Sequence, residues 1–288
     1  MTATDVFVPR RLGKYLRDCT PLSVNDVRAA LSHGRVTLDG QRAEDEHALV
    51  FEEDDVRVDG RRLVPRHRQH TAMLHKPLGV TSTVRDPRGK ADLSRWLDEM
   101  PAGMFPIGRL DRNTSGLLLF TTDGDLANAV LRPDHHTDKV YWLWLDEHVP
   151  DGDPRLGALL GGVPVLGRDA RARSCTVQHR TEHFTELLVT LDEGRNRQIR
   201  RMCRALDFHL NGLHRRSIGP LELGELPSGA WRLLDPGESD ALWQATGGRR
   251  RAFARKLKAL ARLSEQRRHE GAPHVRLDAW LSRHGVRH

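Results

Sequence analysis

The segment FPIGRLDRNTSGLLLFTTDGDL, Phe105 to Leu126, places Asp111 between Arg109 and Arg112, just ahead of the apolar run Gly116–Phe120. Asp, Arg, Asn, Thr, Ser and Gly in succession read as a tight loop, and Leu117–Phe120 as a buried strand closed by Thr121 and Thr122. A carboxylate at the mouth of such a strand, with guanidinium groups on both sides, is either a satisfied turn residue or a group poised to act as nucleophile or base. Two further segments carry residue types suited to the same work. In DKVYWLWLD (138–146) strand alternation puts Lys139 and Tyr141 on one face and Trp142 and Trp144 on the other. In LDEGRNRQIRRMCRAL (191–206) Gly194 makes a turn and a helix follows, with Ile199, Met202, Cys203 and Leu206 on its buried face. Arg197, Arg200, Arg201 and Arg204 are left for the other faces. Taken singly, these are an Asp turn, a surface strand and a solvated basic helix.

The elements that would position these residues form an α+β region, expected over 71–246. Its strands read at Thr71–His75, Gly116–Thr121, Lys139–Leu145 and Glu186–Leu191, and its helices at Leu93–Asp98, Asp125–Leu131 and Gln198–Leu206. Ahead of it, residues 1–64 read as a small domain. RLGKYLRDC (11–19) has Leu12 and Leu16 at helical spacing, and SVNDVRAALSHG (23–34) starts at a Ser cap and ends at Gly34. RVTLDGQRA then turns at Asp39-Gly40, a hairpin signal, and DDVRVDGRRL repeats the alternation. PRHRQH (65–70) reads as a linker. Residues 247–288 hold 12 Lys/Arg against 3 Asp/Glu, a balance of +9, so the rest of the chain carries −2 of the net +7. That segment reads as a basic tail, partly helical or disordered, with Phe253, Leu257 and Leu260 as a narrow apolar stripe that would order against RNA. RLDAWLSRHG (276–285) echoes the RLGKYLRDC helix.

Composition excludes several classes. At 288 residues, 38% hydrophobic and 30% charged, the chain suits a globular protein with exposed charged segments. It has no apolar run of membrane-spanning length, and MTATDVFVPRR lacks the apolar core of a secretory signal. Three distant cysteines, Cys19, Cys175 and Cys203, imply a reducing cytoplasm and have no zinc-ligand spacing. DHHTD (134–138), the densest histidine cluster, reads as a polar loop, and no metal is expected. Local concentration of positive charge implies a polyanionic partner gripped at chosen places.

In order along the chain, HKPLGVTST (75–83), FPIGRLDRNTSGLLLFTTDGDL, KVYW (139–142), EGRNRQIRRMC (193–203) and LHRRSIGPLELGELPSGAWRLL (213–234) resemble the ribosomal RNA pseudouridine synthases. The first domain, over about 9–64 with GRVTLDG as its specific part, resembles the alpha-L RNA-binding domain of a ribosomal small-subunit protein. GGVPVLG (161–167) and the basic tail resemble the large-subunit type. The chain departs from the pattern at Gly13, where an acidic residue is common, at Asp207, where a Gly is usual, and in its tryptophan-rich YWLWLDE.

The resemblance implies a small N-terminal alpha-L domain and a mixed-sheet catalytic domain that isomerises a uridine of ribosomal RNA, of the large subunit. It implies Asp111 as nucleophile, Arg200 as the cation paired with it, and Tyr141 as the ring that stacks on a flipped-out base. Tyr15, the only other tyrosine, belongs to the first domain. Arg10, Arg11, Lys14, Arg17, Arg35, Arg109, Lys139, Arg195, Arg197 and Arg201 are the expected RNA contacts. The chemistry agrees with these needs: breaking C1′–N1 and making C1′–C5 loses no atoms and changes no oxidation state, so no cofactor is expected. The expected partner is ribosomal RNA in a structured stem-loop, bound by a monomer away from membranes. The main rival reading is a non-catalytic RNA-binding or ribosome-assembly factor of the same fold; the presence of Asp111, Tyr141 and Arg200 favours the enzyme. A glycosidase using Asp111 with Asp123 or Asp125 is the third.

Overall fold

Two Asp-Gly pairs shape the first unit. Asp39 and Gly40 have φ of 51° and 78°, and Asp59 and Gly60 have 51° and 77°, the left-handed pair that closes a two-residue hairpin without splaying its strands. The computed structural model describes residues 7–20, 22–64, 69–84, 89–132, 137–271 and 274–284; most of the expected linker and most of DHHTD lie outside them. The first unit comprises residues 1–68 and 247–288, and the second residues 69–246.

The first unit begins with β1 (Arg10–Arg11), α1 (Leu12–Cys19), α2 (Val24–Ser32), β2 (Val36–Leu38), β3 (Gln41–Arg42), β4 (Leu49–Val50), β5 (Val56–Val58) and β6 (Arg61–Arg62). Ser23 and Asp26 cap α2 reciprocally, each side chain taking the other's backbone N–H. Leu12, Tyr15 and Leu16 of α1 bury against Val27, Ala30 and Leu31 of α2 and against Val36 and Val56 of the sheet. The departure at Gly13 has a steric reason. Its N–H donates to Glu46 O at 2.9 Å, and a Cβ there would stand 3.2–3.3 Å from Glu46 atoms.

The second unit carries β7 (Thr71–Lys76), α3 (Ser94–Glu99), β8 (Phe105–Ile107), β9 (Ser115–Thr121), α4 (Gly124–Leu131), β10 (Lys139–Leu145), α5 (Pro154–Gly161), β11 (Val163–Val165) and β12 (Arg168–Ala170). It continues with β13 (Ser174–Arg180), β14 (Thr185–Leu191), α6 (Gln198–Ala205), β15 (Leu210–Ile218), β16 (Leu221–Glu222), β17 (Trp231–Leu233) and α7 (Pro236–Ala245). The large sheet runs β13-β14-β10-β15-β9-β7-β17, with β16 beside β15 and β8 beside β9. Every described pairing in it is antiparallel except β15 with β9. That parallel seam joins two antiparallel halves, so the sheet is mixed and the architecture α+β. Burial alternates strictly along β10 and β14, whereas β9 is buried through Gly116–Thr121, which is why its sequence is uninterruptedly apolar.

The chain returns to the first unit as α8 (Gly248–His269) and α9 (Val275–Arg283). The stripe read as a face for RNA meets protein: Phe253, Leu257 and Leu260 pack with Val8, Leu49, Phe51, Leu277, Trp280 and Leu281. The echo between segments has a simple origin, because α1 buries Leu12, Tyr15 and Leu16 and α9 buries Leu277, Trp280 and Leu281 at the same i, i+3, i+4 spacing. Asp54, a buried carboxylate, receives the Phe51 N–H at 2.8 Å and an ion pair from Arg276, whose guanidinium lies 4.3 Å from the Phe51 ring centroid.

Candidate active site

Asp111 lies in the loop between β8 and β9, and that loop is fastened before it reaches the carboxylate. The Ser82 hydroxyl donates to Leu110 O at 2.8 Å and accepts the Leu110 N–H at 3.0 Å, so the residue before Asp111 is held from both sides. Gly79 and Arg112 exchange a second pair, Gly79 N–H to Arg112 O at 2.8 Å and Arg112 Nε to Gly79 O at 2.9 Å. HKPLGVTST thus serves as the brace of the Asp111 loop. Lys76, fully buried, stiffens that brace by donating to the carbonyls of Pro77 and Val80, both at 2.8 Å. Burial pushes its ammonium down to about 8, partly offset by Asp111.

Two arginines reach Asp111 from the other side. Arg197 caps α6 in the left-handed conformation, φ 52° and ψ 33°, with its Nη1 3.5 Å from Asp111 Oδ2. Arg200 Nε is 3.8 Å from the same oxygen. The Arg200 fork is divided, for its Nη2 donates to Asn113 O at 2.6 Å and lies 3.4 Å from Thr114 Oγ1, while its buried Nε has no hydrogen-bond partner among the described residues. Arg200 therefore ties the loop and the carboxylate to α6 together. The turn before α6 is set by Glu193, which receives Arg195 Nε at 2.9 Å and Gln198 Nε2 at 2.8 Å.

Asp111, Tyr141, Arg109, Lys139, Arg195, Arg197 and Arg200 line one cleft of about 450 Å³ in the second unit. Asp111 keeps 28% of its side chain exposed there, so the cleft is partly open to water rather than dry. Tyr141 is buried on the same sheet face as Lys139. Arg201 is not among the lining residues and turns back on Asn196. Arg10, Arg11, Lys14, Arg17 and Arg35 belong to the first unit. There Arg10 and Lys14 share Asp18 at 2.8 and 3.0 Å, Arg35 pairs with Asp59, Arg11 meets His47, and Arg17 bonds Gly13 O. Of the two glycosidase partners, Asp123 is occupied: it caps α4 by accepting the N–H groups of Asp125 and Leu126. Among the described residues no His, Cys, Asp and Glu group could hold a metal, and no helix is long and apolar enough to cross a membrane.

The sequence model of the RNA pseudouridylate synthase family matches residues 70–205, the stretch that holds Asp111, Tyr141 and Arg200. An RNA pseudouridine synthase of Aquifex aeolicus is 31% identical over 239 residues, which span 82% of this chain and 95% of its own. The chain belongs to the RNA pseudouridine synthases. The dual-specificity RNA pseudouridine synthase RluF of Salmonella typhi is 33% identical over 83% of this chain and 80% of its own. A solved pseudouridylate synthase superposes with a TM-score of 0.56 at 27% identity, covering 81% of this chain and 99% of that one.

Several residues that build this synthase cleft carry no role in the sequence reading: Ser82, Lys76, Thr114 and Arg215. Ser82, Thr114 and Arg215 line the cleft, and Lys76 braces it from within. Arg215 shares a face of β15 with Leu213, but a bulge after it puts Ile218 rather than Ser217 on that face, which breaks the period-two signal.

Proposed function

We propose that this chain converts a specific uridine of ribosomal RNA, of the large subunit, to pseudouridine, with Asp111 as nucleophile on a flipped-out nucleotide. The convergence of Asp111, Tyr141 and Arg200 on one cleft carries the reading. The target nucleotide must leave its stack to reach Asp111, and the Tyr141 ring offers the unstacked base an aromatic surface. The carboxylate takes C1′ as the C1′–N1 bond breaks, with Arg197 and Arg200 balancing its charge. Ser82 and Arg200 hold the loop, so the carboxylate is aimed before substrate arrives. Arg10, Arg11, Lys14, Arg17 and Arg35 grip RNA phosphates from the first unit. Arg10 and Lys14 share a single acid, so that pairing leaves a net cation for the polyanion.

The test is a map of pseudouridines by carbodiimide treatment and primer extension in a deletion strain, paired with complementation by wild type and Asp111→Asn. Loss of one large-subunit site, restored only by wild type, is the expected result. An unchanged map would sink the substrate assignment, and restoration by Asp111→Asn would sink the role of the aspartate.

A further inference from the structure

The cleft holds more positive charge than one carboxylate requires. Arg215 is 5% exposed; its Nε donates to Leu117 O at 2.7 Å, and its Nη2 has no partner among the described residues. Lys139 is 7% exposed, and its ammonium donates to Thr137 O at 2.6 Å. Both line the cleft with Asp111 and Tyr141. Tyr141 is the cross-strand neighbour of Arg215, and Lys139 lies two residues before Tyr141 on the same face. Burial pushes the Lys139 ammonium down to about 8, and Arg215 pushes in the same direction, with Asp192 and Asp138 opposing.

Two buried cations side by side cost stability unless an anion meets them. Among the described residues no carboxylate forms a salt bridge with either, and Asp192 and Asp138 act on Lys139 only as nearby charges. Their depth points to the part of the substrate that enters the cleft, which is the base and not the phosphate chain. Uracil is neutral when it enters. When C1′–N1 breaks, the bonding pair leaves with the ring, and the negative charge spreads over N1, O2 and O4. Cations waiting at that position bind the ring more strongly after the bond has begun to break than before, which accelerates the step.

We propose that Lys139 and Arg215 form the cationic seat of the detached uracil ring, stabilising its anion while the ring turns from N1 to C5. This rests on the functional reading above. The balance closes without a co-reactant. Asp111 holds C1′ while the ring turns, and C5 then supplies the pair that forms C1′–C5. The Asp111–C1′ bond returns its pair to the carboxylate, C5 loses a proton, and N1 gains one.

The test uses the full chain with unmodified large-subunit ribosomal RNA transcripts made with uridine or with 5-fluorouridine, under single turnover. Fluorine withdraws charge and makes the ring a better leaving anion. The measurement is the disappearance of the N1-linked nucleoside. Lys139→Met and Arg215→Met are each expected to lose about 100-fold in rate on uridine RNA but about tenfold or less on fluorouridine RNA. Their RNA dissociation constants should stay within about threefold of wild type. Equal losses on both RNAs, a loss confined to RNA affinity as a phosphate contact would give, or no loss at all would overturn the proposal. Should Arg215→Met fail to fold by circular dichroism, Lys139→Met decides by the same ratio, with Lys139→Arg expected to recover part of the rate. A wild-type chain that leaves every uridine unchanged would sink the functional reading itself; an active wild type with insensitive variants sinks only the seat.

Discussion

Gly116 and Arg215 face each other across the parallel seam so closely that a Cβ on Gly116 would stand 2.3 Å from the Arg215 carbonyl oxygen and 2.6 Å from its nitrogen. No side chain fits there. Gly116 also has φ of 107°, a backbone shape that other residues rarely take. Gly116→Ala should therefore part β9 from β15 and cost at least about 2–3 kcal/mol in denaturant unfolding. Gly152→Ala is the control: also at positive φ, but with nothing within 4 Å, it should cost about 1 kcal/mol from backbone strain alone. Similar costs for the two would show that the seam has room to yield.

Asp111→Asn keeps the shape and removes the nucleophile. Tritium release from C5-labelled uridine in RNA should fall at least about a thousandfold, with RNA affinity and thermal midpoint close to wild type. Turnover within about tenfold of wild type would exclude the assigned role.

Arg197 and Arg200 should separate in their effects. Arg197 is 49% exposed on its side chain and, among the described residues, pairs only with the carboxylate, so Arg197→Ala should lower the rate about 10- to 100-fold with little change in stability. Arg200 is 15% exposed and also binds Asn113 O, so Arg200→Met should lose more rate and about 1–3 kcal/mol of stability. Equal rates for wild type and Arg200→Met would leave Arg197 as the sole cation that matters.

The strands legible in the sequence are those with a clear burial rhythm. Lys139–Leu145 matches its reading residue for residue, and Thr185–Leu191 begins one residue earlier than expected. Ser174–Arg180 escapes because SCTVQHR lies largely exposed at the end of the sheet. Leu210–Ile218 escapes because LNGLHRRSI hides a cationic side chain, Arg215, in a central strand. The cleft was legible in its acid, its aromatic ring and its α6 arginines. Arg215 and Ser82 were not, because their roles depend on a parallel pairing and on a loop clamp between segments far apart in sequence. The destination of α8 was equally hidden, since an apolar stripe on a basic helix does not say what covers it.

His214 makes acid stability testable. Burial, with His75 beside it, pushes its imidazole down to about 4 from an ordinary value near 6.5. Between those values the unfolded chain binds the extra proton, so the contribution is fully present above about pH 6.5 and is lost as pH falls towards 4. The full shift corresponds to about 3 kcal/mol and solvent screening of the half-buried ring reduces it, so wild type should lose about 2 kcal/mol across that window and His214→Gln correspondingly less. Parallel stability curves for the two proteins would reject the assignment.

The seat of α9 on the first unit should be worth several kcal/mol. Trp280 is buried with Leu49 and Phe51, and Trp280→Ala should destabilise that unit by about 3 kcal/mol. Arg276→Met, which leaves the Asp54 carboxylate buried without its cation, should cost a comparable amount. Calorimetry should show the loss in the transition of the first unit, with catalysis on saturating RNA retained. An unchanged first transition would mean that the helices do not stabilise that unit.

Because the first unit is assembled from both ends of the sequence, a ribosome making this protein delivers its two halves at different times. Val8, Leu49 and Phe51 emerge early, and the residues that cover them, Leu277, Trp280 and Leu281, emerge last. At 5–20 residues per second the interval is roughly 11 to 45 seconds, during which a greasy patch and the Asp54 carboxylate wait uncovered on a nascent chain. The whole second unit is synthesised within that interval and has time to fold before the first is complete. Truncated translation products would carry a formed cleft and an unfinished first unit, with an exposed surface for chaperones to hold.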